Sequence, residues 1–227
     1  MSAPAPIDVV LGSASPARLS VLRAAGLRPR VVVADIDEAA VIDDLPTAPP
    51  DEVVVRLAQA KADAVVATLL DERRDRTGLP DLVVLTGDSM LLFDGELTGK
   101  PHTPDVAVAR WKQVRGRSAE LLTGHVVTRI SGDAVAGSAA DTVATTIEFA
   151  DITDAEIEAY VATGEPLAVA GGFTLDGLGG WFVDAVDGDP SSVIGIGLPT
   201  VRRLLDRVGV AVTDLWSDDG TPNRPLS

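Results

Sequence analysis

Short apolar runs alternate with a helix-like segment along the first part of the chain. Residues 7–11 (IDVVL) form an apolar run that ends at a turn, and Ser15 followed by Pro16 suits a helix N-cap and a first helical position. The helix predicted over residues 17–25 ends at Gly26, and residues 30–34 (RVVVA) predict the next strand. This order of strand, turn, helix and strand is typical of an α/β protein.

The rest of the pattern extends this architecture. Residues 35–50 are polar and proline-rich and predict a loop, whereas leucines and valines on one face predict a long helix over residues 51–73. Asp94-Gly95 lies between two strand-like segments and predicts a hairpin with a type I′ turn. Strands are also predicted at 82–85, 119–130, 141–149, 181–186 and 210–213, and helices at 105–114, from a capping box at 153–156 to Gly164, and at 199–208.

The pattern contains no internal repeat and no obvious linker. The sequence therefore predicts one α/β domain over residues 1–213 and leaves open whether two lobes surround a cleft. Residues 214–227 are polar and predict a loose C-terminal tail.

Charge and composition narrow the classes of partner. The 19 Lys and Arg and the 34 Asp and Glu give a net charge of −15, so we expect no broad binding to nucleic acid or to an anionic membrane. Cysteine is absent and only two histidines occur, which excludes disulfides, thiolate zinc sites and histidine-rich metal clusters. Neither a signal peptide nor a membrane-spanning run is apparent, so the expected location is the cytoplasm.

The first candidate site is the turn over residues 12–18 (GSASPAR), between a strand and a helix. Backbone N–H groups and the helix dipole favour an anion at such a position. Ser13 and Ser15 supply hydroxyls there, and Arg18 can add a bidentate phosphate contact. The same residues also fit a plain capped helix with a surface arginine.

Three further residues have both a chemical and a structural interpretation. Asp88 in LTGDS follows a buried strand, where it would hold a divalent cation, accept a proton from water, or cap a turn. Lys61 is either a cation lining a cleft or a lysine extending along a helix face. Lys100 in GELTGKP is either a phosphate contact or an exposed turn lysine. Pro101 and the glycine spacing exclude a Walker A motif.

The order of these motifs resembles that of the Maf family of nucleotide pyrophosphatases, also called septum-formation-inhibitor-like proteins. The chain has S-x-S-x-x-R in its first turn, A-x-x-K-A in the long helix, then G-D-S, G-K-P, A-G-G-F and G-D-x-x-S-V-I-G-I-G-L-P. The likeness runs from about residue 9 to about residue 210, which is nearly the whole chain.

The resemblance implies hydrolysis of nucleoside triphosphates, standard or modified, to monophosphates and pyrophosphate with Mg²⁺ or Mn²⁺. It also implies an elongated α/β fold, with a mixed sheet flanked by helices and a deep cleft between two lobes, and a homodimer. Asp88 matches the catalytic, metal-holding carboxylate of the family. The other positions carried over are the catalytic lysines Lys61 and Lys100, and the substrate-binding residues Ser13, Ser15, Arg18 and Glu38.

The chain departs from the family pattern at three positions. Ala17 stands where the first of two arginines is usual, Val169 where a lysine is common, and Asp176 where a glutamine often follows. Two lost cations and one gained anion weaken phosphate binding, and they bear on substrate identity more than on the reaction. The losses at Ala17 and Val169 also motivate an alternative function, that of a non-catalytic nucleotide-binding regulator of cell division.

Overall fold

The computed structural model describes residues 7–216, which contain seven strands and seven α-helices. The strands are β1 (Asp8–Leu11), β2 (Arg30–Val31), β3 (Leu82–Phe93), β4 (Glu96–Thr98), β5 (Ser118–Ser131), β6 (Ala134–Phe149) and β7 (Val183–Asp187). The helices are α1 (Pro16–Ala24), α2 (Glu38–Asp43), α3 (Pro50–Arg73), α4 (Pro104–Val114), α5 (Asp154–Ala162), α6 (Pro190–Ile194) and α7 (Leu198–Arg207). No helix within residues 7–216 is both long and apolar enough to cross a membrane.

The strands form one mixed sheet in the order β2-β1-β3-β5-β6-β7, with β4 paired to β3 outside this path. Strand β1 is parallel to both of its neighbours, and Val10 lies opposite Arg30 on one side and Val84 on the other. Strands β3 and β4 are antiparallel, as are β6 and β7. The predicted α/β class, a mixed sheet flanked by helices, is confirmed.

The chain divides into two compact units. The first unit takes the described parts of Met1–Asp88, Gly124–Thr142 and Leu198–Ser227, and the second takes Ser89–Thr123 and Val143–Gly197. Strands β3, β5 and β6 contribute residues to both units.

The core of the first unit is aliphatic. Val65 and Leu69 of α3 pack with Val10 of β1, Val84 of β3 and Ile130 of β5, and all five are at most 1% exposed. The spacing of apolar residues along α3 explains this contact, because residues three or four apart share one face of a helix. Each such side chain contributes about 1.5–3 kcal/mol when fully buried.

The core of the second unit is aromatic. The Trp111 ring of α4 meets the rings of Phe149, Tyr160 and Phe182 edge-on, at centroid distances of 5.4, 5.5 and 5.9 Å. Trp111 Nε1 also donates a 2.8 Å hydrogen bond to the Gly172 carbonyl. A single indole therefore joins α4, β6, α5 and the backbone at Gly172.

Local sequence signals are confirmed at several element ends. Ser15 caps α1, and its Oγ accepts from Arg18 N, with Pro16 as the first helical residue. Thr153 and Glu156 form the predicted capping box at the start of α5. Asp94 and Gly95 have φ angles of +48° and +83°, as a type I′ turn between β3 and β4 requires.

Other predictions were wrong in extent or type. The loop predicted over residues 35–50 contains α2, which Asp37 caps by accepting from Ala40 N. The strand predicted at 181–186 begins at Val183, after a 3₁₀ segment at Leu178–Phe182. The last predicted strand is a 3₁₀ helix at Val212–Leu215, because buried Leu215 anchors a tight turn there. Residues 217–227 of the predicted tail lie outside the described part of the chain.

Candidate active site

In the turn between β1 and α1, the hydroxyl oxygens of two serines accept hydrogen bonds from nearby N–H groups. Ser13 Oγ accepts from Ser15 N at 3.2 Å and from Arg18 Nη1 at 3.2 Å, and Ser15 Oγ accepts from Arg18 N at 3.4 Å. A serine hydroxyl has two lone pairs and one O–H donor. These contacts occupy both lone pairs of Ser13, so its O–H proton is not needed for any of them and can be donated to an anion.

Arg18 is buried rather than on the surface, and the interpretation of this residue as a surface arginine was wrong. Its side chain lies beneath the turn, where Nη1 donates to Ser13 Oγ and, at 2.8 Å, to the Gly87 carbonyl. Burial lowers the pKa of the guanidinium, and attraction to Asp88 and Glu38 opposes that shift. Arg18 therefore joins the start of α1 to the residue preceding Asp88.

Lys61 connects two carboxylates. Its Nζ lies 2.5 Å from Asp88 Oδ1 and 2.7 Å from Glu38 Oε1. The Lys61 and Asp88 side chains are each 12% exposed, whereas that of Glu38 is 52% exposed. Because both oxygens contact one nitrogen, they are no farther apart than the sum of those two distances. The alternative in which Lys61 extends along the helix into solvent is wrong, since this amine is largely buried.

Asp88 lies within β3 rather than after it. The prediction of a strand ending at residue 85 was wrong because the polar residues that follow stay paired inside the sheet: Thr86 is 1% exposed and its Oγ1 donates to the Ala58 carbonyl at 2.8 Å. Asp88 is therefore not a turn cap. Its position in a strand, fixed against α3, holds the carboxylate at one place.

Close backbone packing surrounds this cluster. A Cβ on Gly12 would lie 2.5 Å from Thr86 Cγ2, and a Cβ on Gly87 would lie 3.1 Å from the Gly124 carbonyl oxygen. Larger residues at either position would push β3 away from its neighbours. The small residues thus allow Asp88 and the first turn to belong to one tightly packed region.

Six of the seven residues proposed from the sequence belong to the first unit, and contacts join these six in two groups of three. Arg18 contacts both serines of the turn, and Lys61 contacts Asp88 and Glu38. The charges of Asp88 and Glu38 act on Arg18, which couples the two groups.

Comparison with known protein families gives a match over most of the chain. The family model described as Maf-like protein matches residues 8–208. The chain belongs to the Maf family. The matched region includes residues of both units and every residue of the candidate site.

Similar Maf proteins come from several bacteria. The chain is 60% identical over 209 residues to a protein named nucleoside triphosphate pyrophosphatase from Nocardia farcinica, covering 92% of this chain and 96% of that protein. It is 60% identical over 212 residues to one so named from Rhodococcus jostii, covering 93% and 97%. A protein of the same name from Corynebacterium diphtheriae is 50% identical over 213 residues, covering 94% and 100%.

The remaining Maf position, Lys100, belongs to the second unit. It is exposed and follows β4, between Gly99 and Pro101. The three positions at which the chain departs from the Maf pattern also differ in exposure: Ala17 and Val169 are half-buried, whereas Asp176 is exposed. The sequence offered no signal for two backbone partners of the site, the carbonyls of Gly87 and Ala58, because any residue carries such a group.

The oxygen donors of this Maf chain suit a hard divalent cation. Within residues 7–216 no group of three or more His, Cys, Asp or Glu side chains could hold a metal. Asp88 and Glu38 offer two carboxylates around one amine. Mg²⁺ is commonly held by one or two carboxylates together with substrate phosphates and water, so this pair fits such an ion.

Proposed function

We propose that this chain hydrolyses nucleoside triphosphates to nucleoside monophosphates and pyrophosphate. Its membership of the Maf family and its 50–60% identity to proteins named nucleoside triphosphate pyrophosphatase support the reaction. One structural observation supports assigning the chemistry to this cluster: the largely buried Lys61 amine contacts the carboxylates of both Asp88 and Glu38, in the unit that also contains the Ser13–Arg18 contact.

The reaction needs a water molecule aimed at the α phosphorus and charge stabilisation on the departing pyrophosphate. Asp88 is proposed to orient that water and accept its proton, because it is a carboxylate fixed within a strand. Lys61 holds Asp88 in place and is proposed to neutralise phosphate charge. At an effective dielectric of about 20, a close cation–phosphate pair gives about 4 kcal/mol before desolvation is subtracted.

The first turn is proposed to bind phosphate through its serines. Ser13 and Ser15 already accept hydrogen bonds within the turn, which leaves their O–H groups to donate to phosphate oxygens. Arg18 holds Ser13 and Gly87, so its role in this arrangement is to fix the turn beside Asp88 and to supply positive charge. Lys100 is proposed as a further phosphate contact on the basis of its Maf position.

A divalent cation, Mg²⁺ or Mn²⁺, is proposed as cofactor, held by Asp88 and Glu38. When bound, it would supply charge neutralisation for the triphosphate and lower the pKa of an attacking water. Lys61 and the cation would then compete for the same carboxylate oxygens.

Incubation of the purified protein with a panel of standard and modified nucleoside triphosphates tests the reaction. We expect stoichiometric monophosphate and pyrophosphate with Mg²⁺ or Mn²⁺, and loss of turnover when a chelator removes the cation. Release of orthophosphate and nucleoside diphosphate would contradict the proposal. Thermal stabilisation by nucleotide without turnover would instead support the alternative, a non-catalytic nucleotide-binding regulator of cell division.

The expected homodimer, the cytoplasmic location and the absence of nucleic-acid and membrane partners stay predictions. Sedimentation of the purified chain at several concentrations tests the first of them.

A further inference from the structure

The segment that carries Lys100 is held by hydrogen bonds on both sides. On one side, the Gly99 carbonyl accepts a 2.6 Å hydrogen bond from Arg110 Nη1 of α4. On the other side, His102 N donates to the Leu167 carbonyl at 3.0 Å. All of these residues belong to the second unit. The backbone around Lys100 is therefore tied to two separate elements of that unit.

The same segment adopts an uncommon backbone conformation. His102 has a φ angle of +61°, which residues other than glycine rarely adopt, and Thr103 N donates to the Pro101 carbonyl at 2.7 Å across a tight turn. Backbone in such a region costs free energy and persists only where its surroundings enforce it. The contacts of Gly99 and His102 provide that enforcement.

Arg110, which holds the Gly99 carbonyl, is a partly buried cation without a carboxylate partner among the described residues. Its guanidinium is partly buried, and burial lowers its pKa. Within residues 7–216 no carboxylate forms an ion pair with it, although acidic residues greatly outnumber basic ones in the chain. The cost of partly desolvating this charge is therefore offset through the Gly99 carbonyl.

We propose that Arg110 is a positioning residue for Lys100. By fixing the Gly99 carbonyl, it sets the direction in which the backbone presents the Lys100 side chain. This inference rests on the proposed function, in which Lys100 contacts the phosphates of the substrate.

The physical reason is the flexibility of a lysine side chain. Four rotatable bonds spread the amine over a wide volume unless its Cα is fixed, and an error of about 1 Å in placement can cost up to about 100-fold in rate. Fixing the preceding carbonyl costs less than ordering a mobile loop at each turnover. An arginine suits this purpose because its planar guanidinium reaches a backbone oxygen with a defined direction.

A double-mutant cycle tests the proposal, with Arg110→Ala, Lys100→Ala and the double variant. We expect Arg110→Ala to lower kcat/KM by about tenfold. We expect the double variant to be no slower than Lys100→Ala, since Arg110 acts through Lys100. Arg110→Lys should restore part of the activity because a lysine amine also donates to a carbonyl.

Arg115→Ala is the matched control. Arg115 lies at the end of the same helix and also donates to a backbone carbonyl, that of Ile152 at 3.1 Å. Its loss should lower stability without altering the effect of Lys100→Ala. If Arg110→Ala and Lys100→Ala multiply in the double variant, the positioning role is overturned. If Lys100→Ala alone leaves kcat/KM unchanged, the proposed role of Lys100 fails instead.

Discussion

The two units of this chain bury different kinds of side chain. The charged residues buried in the described structure, Arg18, Arg73 and Asp88, all lie in the first unit, beside an aliphatic core. The second unit buries neutral hydroxyls and a cluster of aromatic rings around Trp111. Burying a charge costs free energy that packing does not return, so this difference places reactive groups in the first unit and packing strength in the second.

The cost of those buried charges is met by specific partners. Asp88 pairs with Lys61, while Arg18 and Arg73 donate to backbone carbonyls of Gly87 and Gly132. Replacing a whole buried ion pair by apolar side chains is often neutral for stability, whereas removing one partner leaves an unpaired buried charge and is destabilising. The comparison therefore predicts that substitutions of these charged residues alter activity as well as stability, whereas substitutions in the aromatic cluster alter stability with little direct effect on the reaction.

Trp111→Ala should give the largest loss of stability. It removes the central ring of the aromatic cluster and the hydrogen bond to the Gly172 carbonyl, and we expect the free energy of unfolding to fall by about 3–5 kcal/mol. Urea denaturation measures this change. Trp111→Phe is the control that keeps a ring and should lose less. A loss below 1 kcal/mol in Trp111→Ala would remove the distinction between the two cores.

Lys61→Met should give a large loss of activity with a smaller loss of stability. The variant keeps the length of the side chain but removes the Lys61 ammonium group that contacts both Asp88 and Glu38. We therefore expect kcat/KM to fall by about 100-fold. Lys112→Met is the matched control, because Lys112 pairs with exposed Asp154 at 2.8 Å. Equal activity of the two variants would show that the contacts of Lys61 with Asp88 and Glu38 take no part in the reaction.

A pair of helix caps offers a more sensitive comparison. Ser15→Ala removes the cap of α1, and Thr153→Ala removes the cap of α5. Each should lower the free energy of unfolding by about 1 kcal/mol. Of these two variants, only Ser15→Ala should also raise KM for the nucleotide, since the Ser15 hydroxyl is proposed to contact phosphate and the Thr153 hydroxyl is not. An equal effect of both variants on KM would show that the first turn has no special role.

The smallest effect concerns acid stability in the second unit. Burial raises the pKa of Glu165, but hydrogen bonds from Thr174, the Gly179 and Leu178 amides and Tyr160 outweigh burial and hold that pKa below its usual range. A carboxyl with a lower pKa when folded stabilises the protein fully above its unfolded pKa. That contribution disappears as the pH falls through the folded value.

Glu165→Gln tests this pH dependence. We expect the free energy of unfolding of the wild type to fall more steeply than that of the variant as the pH is lowered from neutral through about 4. Urea denaturation across that range measures both slopes. Parallel slopes would mean that Glu165 has the same pKa in the folded and unfolded chains.

Local chemistry made much of the fold predictable from the sequence. Ser15, the capping box at Thr153 and the Asp94-Gly95 turn act over a few residues, so their signals lie in adjacent letters of the sequence. Helix α2 was not predicted because it is short and contains no buried residue. Its existence depends on the Asp37 cap and on the contact of Glu38 with Lys61.

The sequence indicated which residues form the candidate site, but not the contacts between them. Family-like motifs marked Asp88, Lys61 and Glu38, yet their meeting depends on how α3 lies against β3, which adjacent residues do not encode. The sequence pattern ends the strand at Leu85 and puts Asp88 after it, because the residues that follow Leu85 are polar. The structure keeps them in β3, since Thr86 is hydrogen-bonded to the Ala58 carbonyl of α3. Arg18 was expected to face phosphate, and its burial depends on the distant Gly87 carbonyl.

Turnover and nucleotide binding by Asp88→Asn test the central claim most directly. The variant keeps the size of the side chain but removes the charge that pairs with Lys61 and the group proposed to accept a proton. We predict that kcat falls by about 1,000-fold, while the variant stays folded and calorimetry still detects nucleotide binding. Pyrophosphate release at the wild-type rate by a folded Asp88→Asn protein would contradict the assignment of the reaction to this carboxylate.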